Sequence, residues 1–242
     1  MNLVIDIGNT QIKVAVFEDT ILLYKDQFPA EQIVSKIISL TEQYDIQRSI
    51  VSHVSSIAPM LWKELEGLLK PLKLNHDTLV PFENKYLTPK TLGVDRIALM
   101  AGAVNQFPKT NVLVIDAGSC ITFDFLNEYG SYFGGDISPG ILMRYKAVNH
   151  FTANLPLLEK TEHIPDNGNS TENAIHRGVL NGVIQEIEGV ISQYRTNYQK
   201  LTVVLTGGDT IFLAKNIKSS IFAIPNFLLE GLNSILIHNI DE

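Results

Sequence analysis

The sequence predicts an α/β fold made of two similar halves. Strand-length apolar runs alternate with helix-period patterns along the chain. Val4-Ile5-Asp6-Ile7-Gly8-Asn9-Thr10-Gln11-Ile12-Lys13 aligns with Val114-Ile115-Asp116-Ala117-Gly118-Ser119-Cys120-Ile121-Thr122-Phe123. In both, an apolar strand ends in Asp-x-Gly-polar and a second strand follows. The repeat falls at about half the chain length, as an internal duplication would. The expected domains are 1–110 and 111–242, similar in build and facing each other, each giving one Asp-turn to a shared cleft.

The elements follow in order. Leu3 to Ile5 is apolar and rich in β-branched residues, which suits a strand covered on both faces. Gly8-Asn9 is turn chemistry, and Ile12 to Phe17 and Thr20 to Gln27 read as the next two strands. Pro29-Ala30-Glu31 opens a helix with Ile33, Ile37 and Tyr44 on one face. Arg48 to Val54 is a strand, and Ser55-Ser56 leads into a helix from about Ile57 to Leu69. Lys70 to Thr91 is irregular, with Pro71, Pro81 and Pro89; a loop that long is functional or mobile. Gly93-Val94-Asp95-Arg96 opens a helix to about Gln106. Asn111 to Asp116 restarts the pattern, with Glu128 to Ile137 as its third strand and a helix from Pro139-Gly140. Leu155 to Gly168 is a polar loop. Ser170-Thr171-Glu172 caps a long, glycine-bearing helix to about Tyr194. Leu201 to Leu205 is a buried strand ending in Thr206-Gly207-Gly208-Asp209, and a helix follows. Phe222 to Ile224 is a short strand and Phe227 to Ile240 the last helix.

Composition narrows the class. The 242 residues are 45% hydrophobic, enough for a sizeable core. Nineteen basic against 26 acidic side chains give a net charge of −7, which argues against a general nucleic-acid binder but leaves room for a small nucleotide site. The one cysteine, Cys120, allows no internal disulfide and suits a reducing compartment; it is expected to be buried as a small apolar side chain. The N-terminus has no basic n-region and Asp6 interrupts its apolar run, so no signal peptide is expected. No run approaches the ~20 apolar residues of a membrane span. The six histidines lack zinc spacing, and neither a P-loop nor a Gly-x-Gly-x-x-Gly fingerprint occurs.

The candidate chemistry lies at the turns. Asp6 ends an apolar strand, where a carboxylate needs a reason. Gly8, Asn9 and Thr10 can aim backbone N–H groups and a hydroxyl at one point, and Lys13 adds an ammonium inside the next strand. That inventory suits a nucleotide's phosphates with Mg²⁺; the alternative is an ordinary hairpin with an edge lysine. Asp95 stands in the first turn of a helix, where capping is one reading. Beside Arg96 it offers a second: a carboxylate to accept a hydroxyl proton and a guanidinium to hold an anion. Asp116 either accepts hydrogen bonds from its own turn or holds a cation or water near a terminal phosphate, with Ser119 as a donor. Thr206 to Asp209 places two glycines between a strand and a helix N-terminus, a weak ligand signal by itself. Gly134-Gly135 reads as a tight sheet-to-helix corner.

Taken together, Asp6-Ile-Gly-Asn-Thr10 with Lys13, Gly93-Val-Asp95-Arg96, Asp116-Ala-Gly-Ser119, Gly135-Asp-Ile-Ser-Pro-Gly140 and Thr206-Gly-Gly-Asp209 resemble, in order, the type III pantothenate kinases. The first two motifs are the specific ones. The rest are shared across the superfamily of acetate and sugar kinases, actin and heat-shock chaperone ATPases. The resemblance implies two duplicated ribonuclease-H-like domains, each with a mixed five-stranded sheet, an active site in the interdomain cleft, and a cytoplasmic homodimer. It implies transfer of the ATP γ-phosphoryl to pantothenate, the first step of coenzyme A synthesis, with Mg²⁺ and K⁺ or NH₄⁺. By the same resemblance, Asp6 to Lys13 and Ser119 bind ATP and Asp6 holds Mg²⁺ through water. Asp95 is the proton acceptor, and Asp116 ligates the monovalent cation. Tyr86, Gly93, Val94, Asp95, Arg96 and Thr171 contact pantothenate. Ser119 departs from the threonine frequent in the family, keeping the hydroxyl, and Asp136 departs from its Gly-Gly-Thr-Ile corner. A non-catalytic regulator that kept the fold, or a kinase for another small hydroxy acid, are the alternatives.

Overall fold

A computed structural model gives the architecture, and its described residues are 1–8, 11–53 and 59–239. The chain divides into two compact α/β units: Met1–Pro108 with Gly130–Phe133 and Asn226–Glu242, and Lys109–Tyr129 with Gly134–Pro225.

The first unit is built on a mixed sheet of order β3-β2-β1-β4-β5. Its strands are β1 (Asn2–Ile7), β2 (Ile12–Glu18), β3 (Ile21–Phe28), β4 (Arg48–His53) and β5 (Leu72–Lys73). β2 runs antiparallel to both neighbours, while β4 lies parallel to β1. β1 is buried at every position, as its unbroken apolar run requires, even at Asp6. A 3-10 turn, Ala30–Gln32, precedes α1 (Ile33–Gln43), so the α-helix begins slightly later than Pro29 suggests. α1 and α2 (Pro59–Leu69) help close a core of Leu3, Ile5, Val14, Ile33, Ile37 and Leu65. The expected irregular stretch 70–91 contains β5 and a second two-residue strand, β6 (Glu83–Asn84). α3 (Val94–Gln106) follows, almost wholly buried from Arg96 to Ala103.

The second unit repeats the plan with β7 (Asn111–Ala117), β8 (Cys120–Leu126), β9 (Ser131–Pro139), β10 (Leu201–Thr206) and β11 (Phe222–Ala223) in the order β11-β10-β7-β8-β9. The first sheet has the five strands expected, whereas the second has six, because β6 adds to the edge beyond β9. The first residues of β9, Ser131–Tyr132, pair in parallel with β6, and both stretches belong to the first unit. α4 (Ile141–His150), α5 (Thr171–Asn197) and α6 (Thr210–Asn216) complete the second unit. The apolar stripe of α5, from Ile175 through Leu180, Val183 and Ile187 to Ile191, packs with Phe123, Ile141 and Leu205 in one core.

The two units depart from a division at 110/111 in two places, Gly130–Phe133 and the last helix. α7 (Phe227–His238) belongs to the first unit, not to 111–242, because it packs on α3 and β1. The contact is close: a Cβ on Gly231 would lie 2.0 Å from the Ala98 carbonyl oxygen of α3. Asn2 Nδ2 donates to Asn233 Oδ1 at 2.9 Å within this buried layer. Sequence order could not reveal this return, since α7's apolar pattern suits any sheet face. No helix among the described residues is long and apolar enough to cross a membrane.

Candidate active site

In the first unit, the sheet register builds an acidic corner. Asp6 pairs with Lys13 across β1–β2 and with Ser52 across β1–β4. Paired residues share a sheet face, so a carboxylate, an ammonium and a hydroxyl stand side by side. Asp6 is 5% exposed. Burial raises its pKa from 3.8 to about 6; the Lys13 charge pulls it down, Asp95 pushes it up, and the Ser52 hydroxyl pulls it down further. Ser52 Oγ is buried and makes no other hydrogen bond among the described residues. Gly8 N donates to Gln11 O at 3.2 Å and closes the turn. Asn9 and Thr10, assigned to ATP from the sequence, lie outside the described residues.

Asp95 enters the same corner from the first turn of α3, and its charge is felt at Asp6. Its Oδ1 accepts from the Arg96 backbone N at 2.8 Å. The carboxylate folds back over Gly93: a Cβ there would sit 2.3 Å from Asp95 Oδ1. The Gly-x-Asp spacing therefore sets where the acid points. Val94 is the first residue of α3. Arg96 is 4% exposed, with its guanidinium carbon 5.6 Å from the centre of the Tyr86 ring. Tyr86 stacks in turn on Tyr132, with centroids 6.2 Å apart and planes at 11°. The first unit thus groups Asp6, Lys13 and Asp95, and brings Arg96 beside Tyr86. Sequence reasoning missed Ser52 and Tyr132, which carry no motif; the cross-strand register alone reveals Ser52.

In the second unit, Asp116 ends β7 and pairs with Thr122 on β8 and Thr206 on β10. The register also corrects the ungapped alignment of the two hairpins. Asp6 faces Lys13, whereas Asp116 faces Thr122, so the second turn is one residue shorter and Thr122, not Phe123, is the counterpart of Lys13. Thr122 Oγ1 is buried without a hydrogen-bond partner among the described residues.

Three glycine motifs, separate in sequence, meet at this second corner. Gly207 has φ +94°, and a Cβ on it would lie 2.4 Å from both Ala117 O and Asp116 Oδ1. Asp209 N donates to Ala117 O at 3.0 Å, and Gly140 N donates to Ser119 O at 3.1 Å. Lys160, from the loop before α5, pairs with Asp209 at 2.8 Å; it too was missed from the sequence. Ser119 is exposed. Cys120 is exposed as well, contrary to the expected burial, because it sits at the turn before β8 sinks into the sheet. Thr171 is exposed at the first position of α5, where the preceding Ser170 Oγ accepts from Asn173 N at 3.2 Å.

Both corners suit cations held largely through water. Asp6, buried with its pKa raised, gains from a nearby positive charge; beside the partly buried Asp116 the observation is the unpartnered Thr122 Oγ1, as Ser52 Oγ is beside Asp6. No cluster of three or more His, Cys, Asp or Glu side chains that could hold a metal occurs among the described residues. Mg²⁺ on one carboxylate, waters and substrate phosphates needs no such cluster.

Two mixed α/β units, each led by an Asp-tipped hairpin, define the duplicated ribonuclease-H-like fold of actin-like ATPases and sugar kinases. A conserved Campylobacter jejuni protein, named as a candidate Baf family transcriptional activator, superposes with a TM-score of 0.66 at 23% identity, covering 99% of this chain and 100% of its own. A glucokinase from an Antarctic psychrotroph shares the fold at a TM-score of 0.52 and 13% identity, with 98% of each chain covered. The family model for type III pantothenate kinase matches residues 2–193. The type III pantothenate kinase of Flavobacterium johnsoniae is 45% identical over 243 residues, covering 100% of both chains. The chain belongs to the type III pantothenate kinase family.

Proposed function

We propose that this protein transfers the γ-phosphoryl group of ATP to the hydroxyl of pantothenate, giving 4'-phosphopantothenate and ADP, the first step of coenzyme A synthesis. Family membership supports the substrate pair. The observation that carries the mechanism is the grouping of Asp6, Lys13 and Asp95 at one corner of the first unit.

In this reading Asp95 accepts the proton as the substrate oxygen forms its bond to the γ-phosphorus and the bond to the ADP oxygen breaks. A loose phosphoryl transition state asks mainly for position and charge neutralisation, so a carboxylate of ordinary basicity suffices. Arg96, its guanidinium carbon 5.6 Å from the Tyr86 ring centre, pairs with the pantothenate carboxylate. Val94 and Gly93 line the same approach, and Thr171 contacts the substrate. Lys13 and the backbone of the Asp6 to Lys13 turn hold the phosphates. Asp6 would hold Mg²⁺ through water, and the ion would supply charge neutralisation at the phosphates. Asp116, with Thr122 Oγ1 beside it, would hold K⁺ or NH₄⁺, and Ser119 would donate to ATP.

A cytoplasmic homodimer completes the reading. An open groove of ≈ 530 Å³ on α5, lined by Gly168, Ala174, Gly178 and Gly182 among others, offers small residues for close approach of a second copy. Light scattering at working concentration tests this, a dimer mass supporting it and a monomer mass removing it. The activity is tested by ADP release with and without pantothenate across a panel of small hydroxy acids. Pantothenate-dependent ADP supports the kinase; its absence favours a regulator that kept the fold.

A further inference from the structure

Tyr86 sits in a stretch that has little regular structure to hold it. The segment around it is tied down at its backbone: Glu83 N donates to Gly130 O at 2.9 Å and Lys85 N to Tyr132 O at 2.8 Å. Ser131 Oγ donates to Glu83 Oε2 at 2.7 Å, and Tyr86 N donates to Asn84 Oδ1 at 3.0 Å. These bonds fix where the Tyr86 backbone lies but leave the ring free to turn about its side-chain bonds.

What limits the ring is Tyr132. It is fully buried, and its own plane is set by Phe82, which meets it edge-on at 6.0 Å. Tyr86 lies nearly parallel to it, and Arg96 approaches the Tyr86 ring at 5.6 Å. A chain of planes thus runs from the buried Phe82 through Tyr132 and Tyr86 to a guanidinium. Offset aromatic pairs and cation–π contacts each hold a preferred geometry.

We infer that Tyr132 is a positioning residue for recognition of the anionic substrate: it sets the plane of Tyr86, and through it the direction in which Arg96 presents its guanidinium fork. The inference rests on the kinase reading, because it needs Arg96 to meet a carboxylate. A bidentate guanidinium–carboxylate pair depends on direction as well as distance. Tyr132 does not touch the reacting atoms, so its loss weakens pantothenate binding and spares the chemical step.

Steady-state kinetics on the full chain test this with Tyr132→Leu, Tyr132→Phe and Phe82→Leu. Tyr132→Leu is expected to raise the pantothenate KM about 3- to 10-fold, the scale of one lost aromatic pair. The ATP KM and kcat should stay within about 2-fold. Tyr132→Phe keeps the ring beside Tyr86 and should raise the pantothenate KM less than Tyr132→Leu does. Phe82→Leu leaves Tyr132 in place but unsupported and gives a smaller rise of the same selective kind, so the test survives if Tyr132→Leu does not fold. In the double variant Tyr86→Leu/Tyr132→Leu, the KM should match that of Tyr86→Leu alone, because one acts through the other. An unchanged pantothenate KM in Tyr132→Leu, or equal losses in kcat and in both KM values, overturns the inference while wild-type turnover leaves the kinase reading standing. A wild type with no pantothenate-dependent turnover removes the kinase reading itself.

Discussion

Asp95 Oδ1 occupies the space that a side chain on Gly93 would need, 2.3 Å from where its Cβ would sit. The φ of Gly93 is −59°, so alanine suits the backbone there and the conflict is with the carboxylate alone. Gly93→Ala is expected to fold with near-native stability and to lose about 10- to 100-fold in kcat by displacing the base. Asp95→Asn, which keeps the shape and removes the proton acceptor, should lose roughly 10²- to 10⁴-fold. Turnover and thermal melts on both variants check this. Near-wild-type turnover by Asp95→Asn would remove its role as base.

Asp6 ties stability to pH. Burial lifts its pKa from 3.8 to about 6, so the folded protein binds this proton more tightly than the unfolded chain. Stability from this group is therefore full below the unfolded value and is lost as pH rises through about 4 to 6. Measured without nucleotide or divalent cation, Asp6→Asn should stabilise the fold above pH 7 by on the order of 1–3 kcal/mol. The gain should vanish near pH 4, and the variant should bind ATP with Mg²⁺ poorly. Denaturant melts at the two pH values decide it; a gain equal at both would place the burial cost elsewhere.

Gly207 combines a left-handed backbone with a close approach to Asp116. Gly207→Ala brings both φ strain and a clash with Ala117 O, and should cost roughly 1–3 kcal/mol or more of stability. If Asp116 holds the monovalent cation, residual activity should also need higher K⁺. A melt together with a K⁺ titration of activity measures both; an undiminished melting temperature would contradict the geometry.

Thr122 Oγ1 is buried beside Asp116 with no partner among the described residues. Removing an unsatisfied hydroxyl by an isosteric methyl is close to neutral for folding, within about 1 kcal/mol. Thr122→Val should therefore melt like the parent while its half-activating K⁺ concentration rises. An unchanged K⁺ requirement would leave this hydroxyl without a role at the corner.

The two halves were legible in sequence because strand burial is written in local composition. β1 and β7 are apolar runs, and an aspartate at the end of each stands out against them. The Gly-Val-Asp-Arg motif was legible for a similar reason: glycine, acid and base at the start of a helix is an uncommon combination. What escaped notice depends on register and return. Ser52 matters only because β4 pairs with β1 so that it meets Asp6. Tyr132 lies in an ordinary strand and gains significance from β6, a two-residue strand too short to leave a pattern. The ungapped hairpin alignment misplaced the partner of Asp116 by one residue, since a turn can shorten without altering the apolar pattern around it. Cys120 looked buried because it opens an apolar strand, yet it stands where that strand leaves the turn.

The docking of α7 has a bearing on how the polypeptide is made. β1 leaves the ribosome before the second unit is made, and the helix that covers it only afterwards. Until then Leu228, Leu232 and Ile235 are missing from the layer over β1 and α3, and Asn2 lacks the amide of Asn233. The leading unit must therefore wait, partly uncovered, through synthesis of the trailing one, and nascent chains held before α7 emerges should be open to protease at α3.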